Sequence, residues 1–182
     1  MAQQQVIITG AGPDHPGIVA ELTGLLSRHG CNIEDTSMTI LGSHFAMLIL
    51  ATLPDDITAE TLRPDLSAVE KKAGIELALY PAGQQNQPVA SGSRLPYLIT
   101  VSGNDRTGIT AEAARLLADH QVNITDLNAQ VIPGEEGPVY ILMMESLVPD
   151  TLPISELQNV LKALGQRLGV ETRCSPMEAL SL

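Results

Sequence analysis

The sequence predicts an α+β protein made of two copies of one βαββαβ unit, each a four-stranded antiparallel sheet with two helices on one face. Three observations lead to this prediction. The pattern Gly-x-Asp-x-x-Gly-Ile at residues 12–18 returns 91 residues later, at residues 103–109. Apolar runs and helical periodicity follow in the same order in both copies. A stretch rich in Gln, Gly, Ser and Pro separates them, as expected of a linker.

The repeat extends well beyond this pattern, so each copy is a whole domain. At the spacing of 91 residues, the matched pairs include Leu25/Leu116, His29/His120, Asn32/Asn123 and Asp35/Asp126. From Pro54/Pro149 onwards the spacing is 95, which indicates an insertion of four residues within residues 133–138. These limits predict a first domain at 1–81, a linker at 82–95, a second domain at 96–176 and a tail at 177–182.

The elements of the first copy follow from local patterns, in chain order. Residues 6–9 are a short β-branched run that predicts a strand, which Gly, Pro and Asp end within residues 10–17. Ile18, Leu22 and Leu25 recur at helical spacing, and Gly30 ends that helix. The remaining elements are predicted as strands at 32–41 and 44–53 around a tight Gly42-Ser43 turn, a helix at 58–73 and a strand at 75–80.

The second copy predicts the same elements at its own positions. Its strands are expected at 97–102, 122–132, 139–147 and 169–174, and its helices at 107–120 and 154–167. Domains of this size have marginal cores, so each copy is expected to pack against the other or against a second chain, most simply as a homodimer.

Composition excludes several functional classes. The formal net charge is −11 and only 2% of the residues are aromatic, so the chain lacks the basic surface and the stacking platforms that nucleic-acid binders use. Cys31 and Cys174 show no metal-ligand spacing and align with Val122 and Leu79. They are therefore predicted to be small apolar residues of a protein in a reducing compartment. Neither a metal nor a cofactor is expected.

Targeting and membrane segments are not visible in the sequence. Residues 1–5 have neither the basic nor the apolar character of a signal peptide. The apolar run at 45–53 is too short to span a membrane. A cytoplasmic protein without membrane contact is therefore expected.

The repeated pattern is also the candidate ligand site, because it leads into a helix start, where backbone amides lack helical partners and carry partial positive charge. Glycine there allows a carboxylate to approach closely. Asp14 and Asp105 have two interpretations: they cap the helix, or they line a pocket. The candidate ligand-binding residues of these loops are Gly12, Asp14, His15 and Gly17 in the first copy and Gly103, Asp105, Arg106 and Gly108 in the second.

Two further pairs of polar residues are repeated outside these loops. Asn32 and Asn123 begin a predicted strand, and their side-chain amides can either bind both ends of an amino acid or hold a turn. His29 and His120 end a helix, where a histidine suits the helix dipole. We favour that structural role for the histidines over a role as ligands.

Catalytic signatures are missing from the sequence, which has no nucleophile-elbow, phosphate-loop, dinucleotide or zinc motif. Residues shared by both copies are mainly glycine, aliphatic residues, Asn and Asp, which suits binding more than catalysis. One enzyme alternative stays open, because acylphosphatases share the βαββαβ order and use a loop arginine and a strand asparagine, as Arg106 and Asn123 would provide. Another alternative is an interaction module that binds no ligand.

Both copies resemble the ACT domain, a βαββαβ regulatory module of ferredoxin-like fold that binds amino acids. Residues 12–19, Gly-Pro-Asp-His-Pro-Gly-Ile-Val, resemble the family's Asp-Arg-Pro-Gly-Ile-Val loop, with His15 in place of Arg. Residues 30–35, Gly-Cys-Asn-Ile-Glu-Asp, resemble its Gly-x-Asn-Ile-x-Asp strand entry. The second loop keeps Arg106 but has Thr107 for Pro. Among tandem, stand-alone members, the chain is most similar to the transcriptional repressors of the glycine cleavage system.

The resemblance implies a non-enzymatic cytoplasmic regulator. A small amino acid, glycine by this resemblance, is expected near a strand-to-helix loop at a domain interface, with Asn32 or Asn123 orienting its ammonium group. Binding is expected to bias contact with a partner. Because the chain is acidic, the implied effect on transcription would act through a DNA-binding regulator protein and not through direct contact with DNA.

Overall fold

A computed structural model describes residues 4–82, 94–134 and 137–177 of the 182-residue chain. It divides the chain into two compact units, Met1–Val89 and Ala90–Leu182. The predicted linker and tail therefore fall mostly outside the described residues. Within the described ranges, no helix is both long enough and apolar enough to cross a membrane.

The first unit has the predicted βαββαβ order. Its elements are β1 (Gln5–Pro13), α1 (Ile18–Arg28), β2 (Asn32–Leu41), β3 (His44–Thr52), α2 (Ala59–Ala73) and β4 (Glu76–Pro81). The strands form one antiparallel sheet in the order β2-β3-β1-β4. The strand that leads into the repeated pattern is thus central in the sheet, and β2 and β4 are its edges.

The second unit repeats this architecture. Its elements are β5 (Arg94–Asn104), α3 (Ile109–Asp119), β6 (Asn123–Gly134), β7 (Gly137–Pro149), α4 (Ile154–Leu168) and β8 (Val170–Pro176). The sheet order is β6-β7-β5-β8, again antiparallel. The inserted residues lengthen the β6–β7 hairpin, whose ladder extends to the pair Gly134 and Gly137. The predicted fold class is therefore confirmed in both units.

Each unit has its own apolar core between the sheet and its two helices, because alternate strand residues and one stripe of each helix are apolar. Fully buried core residues of the first unit include Leu22, Leu25, Phe45, Ile49 and Leu62. Those of the second include Ile99, Ile109, Leu117, Leu142 and Leu157. Cys31 lies in the first core, and Cys174 packs against the second, where burial raises its pKa to about 11. Both thiols thus behave as the small apolar residues that the repeat predicts.

The first strand of each unit is longer than the sequence predicts. Gly12 and Gly103, which were expected in the loop, are ladder residues of β1 and β5, so this part of the prediction is wrong. The physical reason is close packing with the start of the last strand. A Cβ on Gly12 would lie 2.9 Å from the Cα of Ile75, and one on Gly103 would lie 3.1 Å from the Cα of Val170. These two glycines make room for the protein's own backbone.

Ser146 is a polar residue inside the second core, and it leads to a stability prediction. It is 1% exposed, and its hydroxyl has no hydrogen-bond partner among the described residues. Ala51 occupies the equivalent position in the first unit, opposite Val6, as Ser146 is opposite Tyr97. Because an unsatisfied buried hydroxyl is costly, we expect Ser146→Ala to stabilise the protein by about 1 kcal/mol in urea denaturation. The reciprocal Ala51→Ser variant should destabilise it, and a stabilising effect of that change would contradict the argument.

Candidate functional site

The candidate site is built from the turns that join β1 to α1 and β5 to α3. We call residues 14–17 the first turn and residues 105–108 the second turn. Each turn ends in a glycine at the helix N-cap, Gly17 with φ 104° and Gly108 with φ 98°. This left-handed backbone conformation favours glycine over other residues, which explains why both copies carry it.

The aspartates of the two turns do not cap the helices. Neither α1 nor α3 has a side-chain hydrogen bond at its N-cap. Each helix begins only after the glycine, three residues beyond Asp14 or Asp105. The cap interpretation of these aspartates is therefore wrong, and both side chains are exposed.

Both helices begin with backbone amides that no described side chain caps. In α1 the amide of Glu21 makes the first helical bond, to the carbonyl of Gly17, and α3 makes the equivalent bond. The amides of residues 18–20 and 109–111 precede this ladder and carry partial positive charge. They are the groups that can bind a carboxylate.

The other two helices begin differently. In α2 the N-cap is Thr58, and it forms a reciprocal capping box with Thr61. In α4 the N-cap is Pro153, whose carbonyl accepts hydrogen bonds from the amides of Glu156 and Leu157. The left-handed glycine at the N-cap is thus specific to α1 and α3 among the described helices.

The two turns are held from one side by the neighbouring hairpin. The amide of Asp14 donates to the carbonyl of Ser43 over 2.9 Å, where β2 turns into β3. The amide of Asp105 lies 3.4 Å from the carbonyl of Pro138, at the equivalent β6–β7 hairpin. Because these contacts use backbone atoms, they do not depend on side-chain identity.

The turns are held from the other side by the second helix of each unit. His15 Nε2 lies 2.8 Å from the carbonyl of Ala73, which is the last residue of α2. Arg106 Nη1 donates to the carbonyl of Leu168, the last residue of α4, over 2.7 Å. Sequence reasoning missed these partners. The repeat shows only that a basic side chain and a helix end occupy equivalent positions in both copies, and it does not show that the two are in contact.

Asn32 and Asn123 lie at the opposite end of the sheet from the turns. Asn32 is opposite Thr52, which is opposite Gln5 at the start of β1, whereas the first turn follows Pro13 at its end. Eight residues of strand, about 26 Å, separate the two ends. The structure therefore does not bring Asn32 together with the first turn, and Asn123, at the start of β6, is placed in the same way.

Asn32 also has a local partner. Its side-chain nitrogen donates to Glu34 Oε1 over 2.8 Å, and this hydrogen bond, with a second from Thr52, lowers the pKa of the Glu34 carboxyl. The arrangement fits the alternative in which Asn32 holds its own neighbourhood at the strand start. Asn32 remains exposed at the edge of the sheet.

The repeated histidines lie at the C-terminal ends of the helices that follow the two turns. His29 and His120 are the C-cap residues of α1 and α3. His29 Nε2 lies 2.7 Å from a carboxylate oxygen of Asp65, and His120 Nδ1 lies 2.8 Å from the carbonyl of Leu116. These contacts support the predicted structural role at the helix ends.

The pair of residues on which the acylphosphatase alternative depends is separated in the structure. Arg106 donates to a helix carbonyl, and Asn123 lies at the other end of its sheet, so the acylphosphatase-like pair is not brought together. No group of three or more His, Cys, Asp and Glu in the described ranges could hold a metal ion. Each turn does present backbone amides at a helix start, and each carries an exposed aspartate three residues before the N-cap glycine.

Two surface depressions lie away from the turns. One of about 510 Å³ lies on the sheet face of the first unit that carries no helix and is lined by Thr9, Leu48 and Tyr80 among others. Another of about 870 Å³ runs between α4 and β8, beside Gly165 and Cys174. Neither is lined by residues of the two turns.

Comparison with known proteins agrees with the architecture. The sequence profile of the ACT domain matches residues 4–80 and 96–175. The chain is 26% identical over 172 residues to the glycine cleavage system transcriptional repressor of Escherichia coli, a match that covers 93% of this chain and 88% of the repressor. It is 36% identical over 74 residues to a UPF0237 protein of Methanopyrus kandleri, covering 40% of this chain and 82% of that protein.

Other similarities concern longer proteins or the fold. The chain is 24% identical over 157 residues to phosphoserine phosphatase SerB2 of Mycobacterium tuberculosis, covering 78% of this chain but only 38% of the phosphatase. A crystal structure of an unknown protein from Galdieria sulphuraria superposes with a TM-score of 0.84 at 23% identity, over 97% of this chain and 99% of that one. The latter likeness shows the same fold.

Proposed function

Since this chain belongs to the ACT domain family, we propose that it is a non-enzymatic regulatory protein that senses a small amino acid at its two turns. The observation that carries this proposal is the pair of uncapped helix starts behind Gly17 and Gly108. The same arrangement occurs in both units, although the loops around it differ in sequence. Similarity to the glycine cleavage system transcriptional repressor favours glycine as the ligand.

The proposed binding chemistry matches the two charges of an amino acid. The carboxylate would accept hydrogen bonds from amides among residues 18–20 or 109–111, aided by the helix dipole. The ammonium group would meet the exposed carboxylate of Asp14 or Asp105, three residues before the N-cap glycine of the same helix. In this proposal Gly17 and Gly108 contribute by leaving the approach to the amides open, since, apart from their immediate chain neighbours, no described residue has an atom within 4 Å of where their Cβ would be.

The remaining predicted site residues take part in different ways. Gly12 and Gly103 allow the strand before each turn to pack closely against the backbone of Ile75 or Val170. His15 and Arg106 hold the turn against a helix end. Asn32 and Asn123 lie too far from the turn of their own unit to touch its ligand. In this proposal a second copy of the chain, in a homodimer, brings them to the site.

The proposed route to transcription is a protein partner. A net charge of −11 and 2% aromatic residues disfavour direct contact with nucleic acid. We therefore propose that the liganded chain acts on a DNA-binding regulator. The cytoplasm is the proposed location, because Cys31 and Cys174 are both free thiols, as expected in a reducing compartment.

Calorimetric titration of the full chain tests the sensor proposal. We expect saturable heat with glycine, and weaker heat with serine or alanine, because a larger side chain must fit beside the turn. Acetate and methylamine, which each carry one of the two charges, should bind at least about tenfold more weakly than glycine. A folded chain that gives no heat with any small amino acid would contradict amino-acid sensing.

An ACT interaction module without ligand is the second candidate function. It is favoured by the position of the two depressions described above, which lie away from the turns. It shares the fold and the protein partner with the first proposal, but it predicts no heat in the titration. Native mass spectrometry of the copurified complex distinguishes the two, because it would show a partner without a bound amino acid.

A further inference from the structure

The two turns carry different basic residues at one equivalent position, and both residues make the same kind of contact with a helix end. His15 and Arg106 are equivalent in the repeat, and each reaches the last carbonyl of the second helix of its unit. Those carbonyls belong to Ala73 and Leu168, which are themselves equivalent. A carbonyl at a helix C-terminus carries partial negative charge and lacks a helical partner, so it suits a cationic donor.

The ring of His15 lies within hydrogen-bond distance of two carbonyls, which favours its protonated form. Nε2 lies 2.8 Å from the carbonyl of Ala73, and Nδ1 lies 3.1 Å from the carbonyl of Pro16. A neutral imidazole has one N–H, whereas an imidazolium has two. Only the protonated ring can therefore donate to both carbonyls. Arg106 keeps its charge at every physiological pH, so its bond does not depend on pH.

From this geometry we propose that His15 is a proton-dependent latch, which ties the first turn to the end of α2 at lower pH and releases one of its two bonds at higher pH. Arg106 is the permanent version of the same latch in the second unit. The proposal concerns how the turn is held, and it does not depend on whether an amino acid binds there.

The charges around His15 favour the protonated ring. The carbonyls of Ala73 and, second, Pro16 raise its pKa above the ordinary value of 6.5. Partial burial opposes this shift, and the negative charges of Asp14 on the turn and Glu21 on α1 add smaller raising effects. Other titratable side chains on the adjoining elements include Glu70, Lys71 and Lys72 near the end of α2, His44 at the start of β3 and Glu76 at the start of β4. Lys72 is paired with Glu21 over 2.8 Å.

The sign of the pH dependence follows from the raised pKa. A group whose pKa is higher in the folded protein is protonated at low pH in both states, and its contribution to stability is fully present there. That contribution is lost as the pH rises through the folded value, which lies above 6.5. Both hydrogen bonds are thus held at pH values below the raised pKa, and one of them is lost as the pH rises through it.

Two glycine amides report on the two hydrogen bonds directly. The amide of Gly17 shares its peptide group with the carbonyl of Pro16, and the amide of Gly74 shares its peptide group with the carbonyl of Ala73. Loss of a bond from His15 changes the polarisation of that peptide and moves the amide signal. Gly169 follows Leu168 in the same way and is the internal control, since its carbonyl neighbour is held by Arg106.

Amide NMR spectra of the isotope-labelled full chain, recorded between about pH 5 and 8, test the latch. We expect the Gly17 and Gly74 signals to move together, with one midpoint above 6.5, while Gly169 stays in place. In His15→Arg the movement of Gly74 should be lost. In Arg106→His, a movement of Gly169 should appear, which transfers the pH dependence to the second unit.

The outcomes that overturn the proposal are equally specific. If Gly74 moves in His15→Arg as it does in the unmodified chain, another group causes the effect. If Gly17 and Gly74 do not move while the His15 ring signal titrates, the ring does not hold these carbonyls. The unchanged remainder of each amide spectrum serves as the control for folding. Because no ligand is added, failure here leaves the amino-acid titration untouched.

Discussion

Replacing Gly12 by alanine is expected to destabilise the protein by about 3 kcal/mol, at the upper end of what overpacking costs. The new Cβ would lie 2.9 Å from the backbone Cα of Ile75 and 2.8 Å from its Cγ2. Neither β1 nor the start of β4 can retreat easily, because β1 is a central strand that pairs on both sides. Urea denaturation followed by circular dichroism measures the loss.

Gly10 provides a matched control in the same strand. A Cβ there would lie 2.9 Å from Leu77 Cδ2, which is the far end of a flexible side chain. Rotation of that side chain relieves the contact, so Gly10→Ala should cost clearly less than Gly12→Ala. Equal costs for the two variants would show that backbone crowding at Ile75 is not the reason for glycine at position 12.

Replacing the two N-cap glycines, Gly17 and Gly108, by asparagine is expected to weaken the binding of the amino acid strongly. Asn tolerates left-handed backbone better than most residues, and its side-chain oxygen is a good N-cap acceptor for the first amides of a helix. In Gly17→Asn and Gly108→Asn the side chain would occupy the amides that we assign to the carboxylate. Because a hydrogen bond to a charged group contributes about 1.5–3 kcal/mol, glycine affinity should fall about 10- to 100-fold in the double variant.

Calorimetry of the two single variants shows which unit binds, since each change blocks one turn. Gly30→Asn is the control for placing asparagine at a left-handed glycine outside the turns. Gly30 has φ 68°, and its nearest neighbour, a Pro54 side-chain carbon, lies 3.8 Å from where a Cβ would be. The equivalent residue of the second unit is Gln121, which adopts φ 59° without being glycine. Unchanged glycine affinity in a folded double variant would remove the turns as the binding site.

Local sequence patterns predict the backbone of the turns better than they predict the helix starts. A glycine just before a helical stripe signals a special backbone conformation, and Gly17 and Gly108 both have positive φ. The cap interpretation of Asp14 and Asp105 rests on residue preference alone. It fails because the helix start depends on where the preceding strand ends, and pairing with β3 and β7 carries β1 and β5 further than their composition suggests.

The amino-acid sequence by itself determined the duplication, the βαββαβ order and the ACT family resemblance, because periodicity, glycine positions and matched spacing are local properties of the chain. Only the tertiary structure decided which residues meet. It joins His15 to Ala73, 58 residues away, and it places Asn32 at the far end of the sheet from the turn. The physical reason is that such contacts depend on strand order and direction, which are set by how the sheet and helices bury their apolar faces together.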